Sequence, residues 1–253
     1  MFDKIVELCS YLLNNYPGAS ACREYLDGRL SKDSQKDFNF GYFPGINNIS
    51  LLTTMIGFEE LEKHNLFYHK EIEDSWGPRS INSLYFENYP LIMPYHDTYG
   101  NIVGLVGRSL LSDDQRKTLS ISKYKNTVFQ KGNYLFGLHA AKQSILEQDS
   151  VYIVEGQFDV IKAHEAGFKN IVALGNSNMT SYQFSIISRY TNNIFLLLDS
   201  DEAGDKGRAK IISVFGDYAN IRNFYLPKPY KDIDEYLTEN SYDSLSFEVR
   251  DKL

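Results

Sequence analysis

The second half of the chain alternates between short apolar runs and longer amphipathic stretches. The runs at residues 151–154 and 194–198 are β-branched or leucine-rich, as expected for buried strands of a parallel sheet. The predicted strands are residues 151–154, 171–174, 194–198 and 222–226. The predicted helices are residues 138–148, 157–166, 180–190 and 203–215. Strands that alternate with helices predict right-handed βαβ units around a parallel sheet.

The first half predicts a smaller mixture of helices and strands. The predicted helices cover residues 3–14, 20–26 and 51–67, with Ser31 as the cap of a further helix. The polar segment 71–83, which includes Trp76, predicts a loop. Residues 91–94 and 101–106 predict two strands joined by a turn. We therefore expect an α/β protein with a small α+β subdomain at 1–148, followed by a parallel-sheet subdomain at 149–253.

Composition excludes several classes of protein. The chain has 253 residues, 43% hydrophobic and 14% aromatic, which is typical of a globular protein with a sizeable core. The net charge of −7 counts against a wholly basic nucleic-acid binder. Cys9, Cys22 and five scattered histidines match no zinc motif, so no zinc site is expected. Without a signal peptide, a membrane-length apolar run or a P-loop, we expect a cytoplasmic protein that is not a P-loop helicase.

Carboxylates follow two of the predicted strands. Glu155 comes directly after residues 151–154, and Asp199 and Asp201 come after residues 194–198. Sites of open α/β sheets form beyond the carboxyl ends of the strands, so these acids are candidate catalytic residues. Asp159 lies one helical turn beyond Glu155. Converging carboxylates favour a hard divalent cation, Mg²⁺ or Mn²⁺. The alternative is that Asp201 caps the next helix and Glu155 is a lone surface acid.

A local basic segment precedes these acids. It holds Arg116, Lys117, Lys123, Lys125 and Lys131 without an acidic residue among them. In a chain of negative net charge, such a segment is a candidate phosphate-binding patch. The alternative is a solvated charged loop.

Three stretches carry a resemblance to a known family. The motifs EGQFD at 155–159, ALGNSNMT at 173–180 and LLLDSDEAGDKG at 196–207 resemble the TOPRIM domain, in the form found in bacterial DnaG-type primases. The resemblance implies that Glu155, Asp199 and Asp201 hold divalent metals for nucleotidyl transfer. Asn176 departs from the family, which usually has a threonine after the glycine.

The resemblance extends to residues outside those three stretches. Arg29, Arg108, Lys123, Asn126 and Lys131 fall on polar positions of the primase core, which implies nucleotide or template binding, and Lys125 replaces an apolar residue. Asp232 and Asp234 resemble the third acidic pair, with Ile233 in place of the usual proline. That pair implies a second or third metal position, and we expect Asp159 to support the metal site. Arg29 could instead be a solvated helix-end arginine, and Asp232 could cap a short final helix.

The resemblance implies a DNA primase catalytic core that synthesises short RNA primers on single-stranded DNA from ribonucleoside triphosphates. The alternatives are another TOPRIM enzyme, such as a nuclease or topoisomerase-like enzyme, or a non-catalytic replication accessory module. The implied partners are the replicative helicase and a separate zinc-binding protein, with no membrane association. The short core implies a phage or plasmid version. We expect weak, unselective priming by the isolated chain.

Overall fold

A computed structural model describes residues 2–74, 77–245 and 247–250. Contacts divide the chain into two compact units. The first unit contains residues 1–95 and 102–129, and the second contains residues 96–101 and 130–253. Residues 130–148 therefore group with the second unit by their contacts. The predicted division into functional subdomains at residue 148 stays a prediction.

The first unit is the smaller α+β part. Its helices are α1 (Asp3–Asn15), α2 (Ser20–Asp27), α3 (Lys32–Asp37), α4 (Ser50–Thr53), α5 (Phe58–Lys63) and α6 (Asp113–Thr118). Its strands are β1 (Gly41–Tyr42), β2 (Phe67–Asp74), β3 (Gly77–Leu84), β4 (Leu91–His96), β5 (Ile102–Arg108) and β6 (Tyr124–Asn126). One sheet has the order β1-β4-β5-β6. Ser31 caps α3 by accepting a hydrogen bond from the Ser34 backbone N–H, which confirms that prediction.

Residues 51–83 differ from the prediction. The predicted helix at 51–67 is wrong as one element, because the chain turns at Gly57, where φ is +88°, between α4 and α5. The predicted loop at 71–83 is also wrong, because β2 and β3 form an antiparallel hairpin from Phe67↔Leu84 to Asp74↔Gly77. Most described side chains of this hairpin are exposed, so its sequence lacks the apolar alternation that signals a strand. Trp76 lies outside the described residues.

The second unit is the parallel-sheet part. Its helices are α7 (Leu138–Gln148), α8 (Gln157–Glu165), α9 (Ser181–Ile187), α10 (Glu202–Phe215) and α11 (Ile233–Glu239). Its strands are β7 (Val151–Val154), β8 (Ile171–Ala173), β9 (Asn193–Leu196), β10 (Asn220–Tyr225) and β11 (Glu248–Arg250). The sheet order is β11-β10-β9-β7-β8, and only the β10–β11 pairing is antiparallel among the described strands. The predicted parallel sheet flanked by helices is confirmed.

The core of the second unit explains the apolar runs. Inward residues of β7 and β9, including Val151, Ile153, Ile194 and Leu196, pack with α7, α9 and α10 and have essentially no exposed surface. Such strands are covered by helices and therefore read as apolar runs. The same burial places the strand ends, and the polar residues that follow them, at the edge of this core.

Candidate active site

The sheet order creates a switch point between β7 and β9. The chain leaves β7 toward β8 on one side, whereas it leaves β9 toward β10 on the other. Neighbouring loops diverge at such a point and leave a crevice beyond the carboxyl ends of the strands. Glu155 follows β7, and Asp199 and Asp201 follow β9. We call Glu155, Asp199 and Asp201 the acidic cluster.

Glu155 and Asp199 lie close together. The Glu155 Oε1 atom accepts a hydrogen bond of 3.3 Å from the Asp199 backbone N–H. Burial raises the pKa of Glu155 above its ordinary value, and the Asp199 carboxylate raises it further. Burial also raises the pKa of Asp199, although Lys231 opposes that shift. The two carboxylates are therefore close, partly desolvated and mutually repulsive.

Asp201 is both a helix cap and a neighbour of Asp199. Its Oδ1 atom accepts hydrogen bonds of 3.0 Å from the backbone N–H groups of Ala203 and Gly204, at the start of α10. These bonds, with Gly204 the largest contributor, and the ammonium of Lys231 lower the pKa of Asp201. The alternative that Asp201 caps the next helix is correct. The cap leaves the second oxygen, Oδ2, directed to Lys231.

Lys231 joins the two aspartates, and sequence reasoning missed it. Its Nζ atom lies 3.1 Å from Asp199 Oδ2 and 3.0 Å from Asp201 Oδ2. Hydrogen bonds to Asp201 and Asp199 raise the pKa of Lys231 above its ordinary value. The lysine directly before Asp232 was the available signal, because a cation beside an acidic pair in a loop after a strand is a candidate counter-ion.

Arg208 donates hydrogen bonds to the backbone of the turn after β9. Its guanidinium is fully buried and donates through Nη1 to the Asp199 backbone O at 2.9 Å and through Nη2 to the Leu198 backbone O. Nη1 also lies 3.3 Å from Asp205 Oδ1, and the guanidinium stacks over Tyr225 at 4.2 Å. Sequence reasoning missed this residue as well, because an arginine on α10 resembles any solvated helix cation.

Gly204 allows α10 to approach that turn. A Cβ atom at this position would lie 2.0 Å from the Asp199 backbone O and 3.2 Å from Arg208 Nη1. No side chain fits at such a distance, so the glycine is required by close approach. The backbone of Asp199 is thus held between Gly204 and Arg208. These two contacts fix the position of the turn that carries Asp199.

The supporting acids have mainly structural contacts. Asp159 is 6% exposed; its Oδ2 accepts from the Gly156 N–H at 3.0 Å and its Oδ1 from the Asp234 N–H at 3.2 Å. Burial, followed by repulsion from Asp232, raises the pKa of Asp159 well above its ordinary value. Asp232 caps α11 by accepting from the Glu235 N–H at 2.8 Å, as the alternative interpretation predicted. Asp159 therefore ties α8 to α11, and metal binding by these three acids stays a prediction.

The acidic cluster carries the type of donor that Mg²⁺ or Mn²⁺ prefers. Within residues 2–74, 77–245 and 247–250, no three His, Cys, Asp or Glu side chains are gathered closely enough to enclose a metal ion. The acidic cluster nevertheless presents hard carboxylate oxygens from two adjacent strand ends, and two of its members already face one cation, Lys231. The chemistry of this donor set therefore suits a divalent cation.

Lys131 lies on the same unit, near the end of β8. Its Nζ atom donates a hydrogen bond of 2.8 Å to the Gly175 backbone O, and burial lowers the pKa of Lys131. Gly175 has φ +82°, and a Cβ atom there would lie 2.1 Å from Lys131 Cε. The left-handed backbone favours glycine here, and a larger side chain would have to displace the end of the Lys131 side chain. Asn176, the family departure, makes a local turn by accepting from the Asn178 N–H at 2.8 Å.

The first unit gathers a second set of predicted site residues. Arg108 is 8% exposed, stacks over Tyr25 at 4.7 Å and over Tyr124 at 5.0 Å, and donates a hydrogen bond to the Tyr124 hydroxyl. Arg29 donates to the Tyr25 hydroxyl at 2.8 Å. The Lys123 Nζ atom lies 5.9 Å from the Tyr124 ring centre. We call these five residues the arginine–tyrosine cluster.

Electrostatics mark the arginine–tyrosine cluster as a cationic site. Burial lowers the pKa of Lys123, and repulsion from Arg108, Arg29 and Arg116 lowers it further. Burial raises the pKa of the Tyr124 hydroxyl to about 12, so it stays protonated as a neutral partner for the arginines. The aromatic rings separate like charges while stacking on each of them. Such an arrangement suits an incoming phosphate.

The remaining predicted polar residues lie on β6. The Lys125 Nζ atom sits 4.0 Å above the Tyr85 ring. Asn126 accepts through its backbone O from the Tyr85 hydroxyl. Its buried side-chain Oδ1 atom has no hydrogen-bond partner among the described residues. Lys125 is therefore held by a ring, and phosphate or template binding by both residues stays a prediction.

This parallel sheet, with carboxylates after its first and third strands, defines the Toprim class of catalytic domain. A Toprim-like family model matches residues 152–237. The model of the N-terminal domain of the DNA primase catalytic core matches residues 10–142. The chain belongs to the DNA primase catalytic-core family.

Individual relatives agree with this assignment. The DNA primase of Synechococcus elongatus is 32% identical over 238 residues, which cover 89% of this chain and 33% of that relative. The Aquifex aeolicus primase structure with zinc-binding and RNA polymerase domains has a TM-score of 0.75 at 25% identity, covering 97% of this chain and 60% of that one. A DnaG primase catalytic domain bound to single-stranded DNA shares the fold, with a TM-score of 0.76 at 24% identity over 96% of this chain and 77% of that one.

The chain spans about a third of the length of the curated relatives that it matches. Among the helices in the described part of the chain, none is both long and apolar enough to cross a membrane.

Proposed function

We propose that the chain is a primase-type nucleotidyltransferase that extends RNA primers on single-stranded DNA. The acidic cluster at the β7–β9 switch point carries this proposal. The chain belongs to the primase catalytic-core family, and this cluster offers the carboxylate oxygens that metal-dependent nucleotidyl transfer needs. The reaction joins a primer 3′-hydroxyl to the α-phosphate of a ribonucleoside triphosphate and releases pyrophosphate. When bound, Mg²⁺ or Mn²⁺ supplies electrostatic stabilisation of the attacking and leaving oxygens.

The residues of the chain have separable roles in this proposal. Glu155, Asp199 and Asp201 hold the metal, with Asp159, Asp232 and Asp234 as supporting metal residues. Arg29, Arg108, Lys123, Lys125, Asn126 and Lys131 bind nucleotide or template phosphates. The stacked arginines favour phosphate because guanidinium groups offer paired donors in a plane.

The proposed partners include more than nucleotides and template. The Aquifex aeolicus relative carries a zinc-binding domain together with its RNA polymerase domain. We propose that a separate zinc-binding protein assists this chain in selecting template, and that a replicative helicase recruits it. Primer yield measured with and without each added protein tests both partners, and an unchanged yield contradicts them.

Two variants test the catalytic assignment. Glu155→Gln keeps an oxygen that accepts from the Asp199 N–H, and Asp201→Asn keeps a residue that caps helices well. Both should fold and lose primer synthesis with single-stranded DNA, ribonucleotides and Mg²⁺. Asp217→Asn, an exposed carboxylate after α10, is the matched control and should retain activity.

The products distinguish this proposal from its rivals. New oligoribonucleotides from the parent and the control, but not from the two variants, support a primase. Shortened template without oligoribonucleotides indicates a nuclease. Near-normal primer yield from Glu155→Gln or Asp201→Asn contradicts the assignment of the acidic cluster.

A further inference from the structure

We propose that Lys231 is a built-in counter-ion that occupies the cation position of the acidic cluster until a divalent metal displaces its ammonium group. This inference rests on the proposed function, because it assumes that Asp199 and Asp201 bind metal. It assigns Lys231 a positioning role, in which it sets the metal concentration at which the site fills.

The geometry places one ammonium between two carboxylates. The Nζ atom lies 3.1 Å from Asp199 Oδ2 and 3.0 Å from Asp201 Oδ2, which are ion-pair distances to both. A divalent cation shared by these aspartates needs the same oxygens. Simultaneous binding would also bring two positive charges together, so metal and ammonium exclude each other.

The backbone at Lys231 is anchored, whereas its side chain is not enclosed. The Lys231 backbone O accepts a hydrogen bond of 2.9 Å from the Ser200 N–H, between the two aspartates. Its backbone N–H donates to Glu235 Oε2 at 2.8 Å. The side chain itself is 52% exposed. The ammonium can therefore leave by side-chain rotation alone, without rearrangement of the loop that carries it.

The ammonium also relieves repulsion in the metal-free protein. Asp199 and Asp201 face one cation with their Oδ2 atoms, while Glu155 contacts the Asp199 backbone. Without Lys231, like charges would face each other across the same gap. Loss of the lysine should therefore weaken the metal-free fold and strengthen metal binding at the same time.

The test is a direct binding titration with Mn²⁺ at one pH and low salt, following the electron paramagnetic resonance signal of the free ion. Lys231→Met removes the charge and keeps an unbranched side chain, and Lys231→Arg keeps the charge. Lys210→Met, an exposed lysine on α10, is a matched control for net charge. We expect Lys231→Met to bind Mn²⁺ about tenfold more tightly than the parent, equivalent to ~1.4 kcal/mol. Lys231→Arg and Lys210→Met should stay within about threefold of the parent, as a single surface charge has a modest effect.

Melting temperature gives a second readout. Lys231→Met should melt lower than the parent without metal and gain more from saturating Mn²⁺. Equal or weaker Mn²⁺ binding by Lys231→Met, or equal tightening in Lys231→Arg, overturns the Lys231 proposal alone. If neither the parent nor any variant binds Mn²⁺, the proposed metal-dependent function itself fails, and the Lys231 proposal fails with it.

Discussion

Replacement of Arg208 by methionine should destabilise the protein more than any surface change on α10. Methionine resembles arginine in length but has no N–H donor, so the backbone oxygens of Leu198 and Asp199 lose their donors. A buried acceptor without a donor costs about 1–3 kcal/mol, so two such acceptors cost about 2–6 kcal/mol. Removal of the desolvated guanidinium charge offsets part of this loss. We expect a net loss of about 2–4 kcal/mol in the free energy of unfolding.

Urea unfolding followed by circular dichroism measures this loss. Lys210→Met is the matched control, because it removes a cation from the exposed part of the same helix and should change stability by less than about 0.5 kcal/mol. Mn²⁺ affinity provides a second measurement, since Arg208 supports the backbone of Asp199. Stability within about 1 kcal/mol of the parent would refute the reasoning that the hydrogen bonds from Arg208 to the backbone stabilise the fold.

Three further predictions concern other parts of the molecule. Gly204→Ala should lower stability by about 1–3 kcal/mol in thermal unfolding, because its Cβ would meet the Asp199 backbone O; parental stability would show that α10 can shift freely. Burial lowers the pKa of His164 to about 4, so its neutral form stabilises the fold and that stability falls as pH drops from about 6.5 toward 4. His164→Phe should reduce this pH dependence by about 2 kcal/mol between pH 7 and 5, and an unchanged slope contradicts it. Lys123→Ala and Lys131→Ala should weaken binding of single-stranded DNA at low salt, as measured by fluorescence anisotropy, and should make the affinity less dependent on salt concentration. Titration curves equal to those of the parent would indicate that the basic segment is only a solvated loop.

The sequence by itself determined the parallel-sheet part of this protein. Its strands and helices carry strong local signals: apolar runs for β7 and β9, and the acidic or threonine caps that start α9 and α10. Glu155, Asp199 and Asp201 could be predicted as one site because the ends of parallel strands meet at one edge. Local pattern and simple topology were sufficient there.

Local pattern was insufficient where a contact joins distant parts of the chain. The β2–β3 hairpin has few buried side chains and so no readable alternation. The sequence indicated Asp159 as a possible metal ligand. It could not show that Asp159 is buried and accepts a hydrogen bond from the Asp234 N–H, because both depend on how α11 packs on α8. A sequence shows which residues carry charge, but it does not show which charges lose water.

Only the tertiary structure decided the partners of the acidic cluster. Lys231 lies 30 residues after Asp201, and Arg208 looks like an ordinary surface cation of α10 until its burial is seen. The physical reason is that ion pairing and desolvation depend on distance in space, whereas strand and helix signals depend on spacing along the chain. The acids could therefore be predicted from the sequence, but the two cations that hold them required the fold.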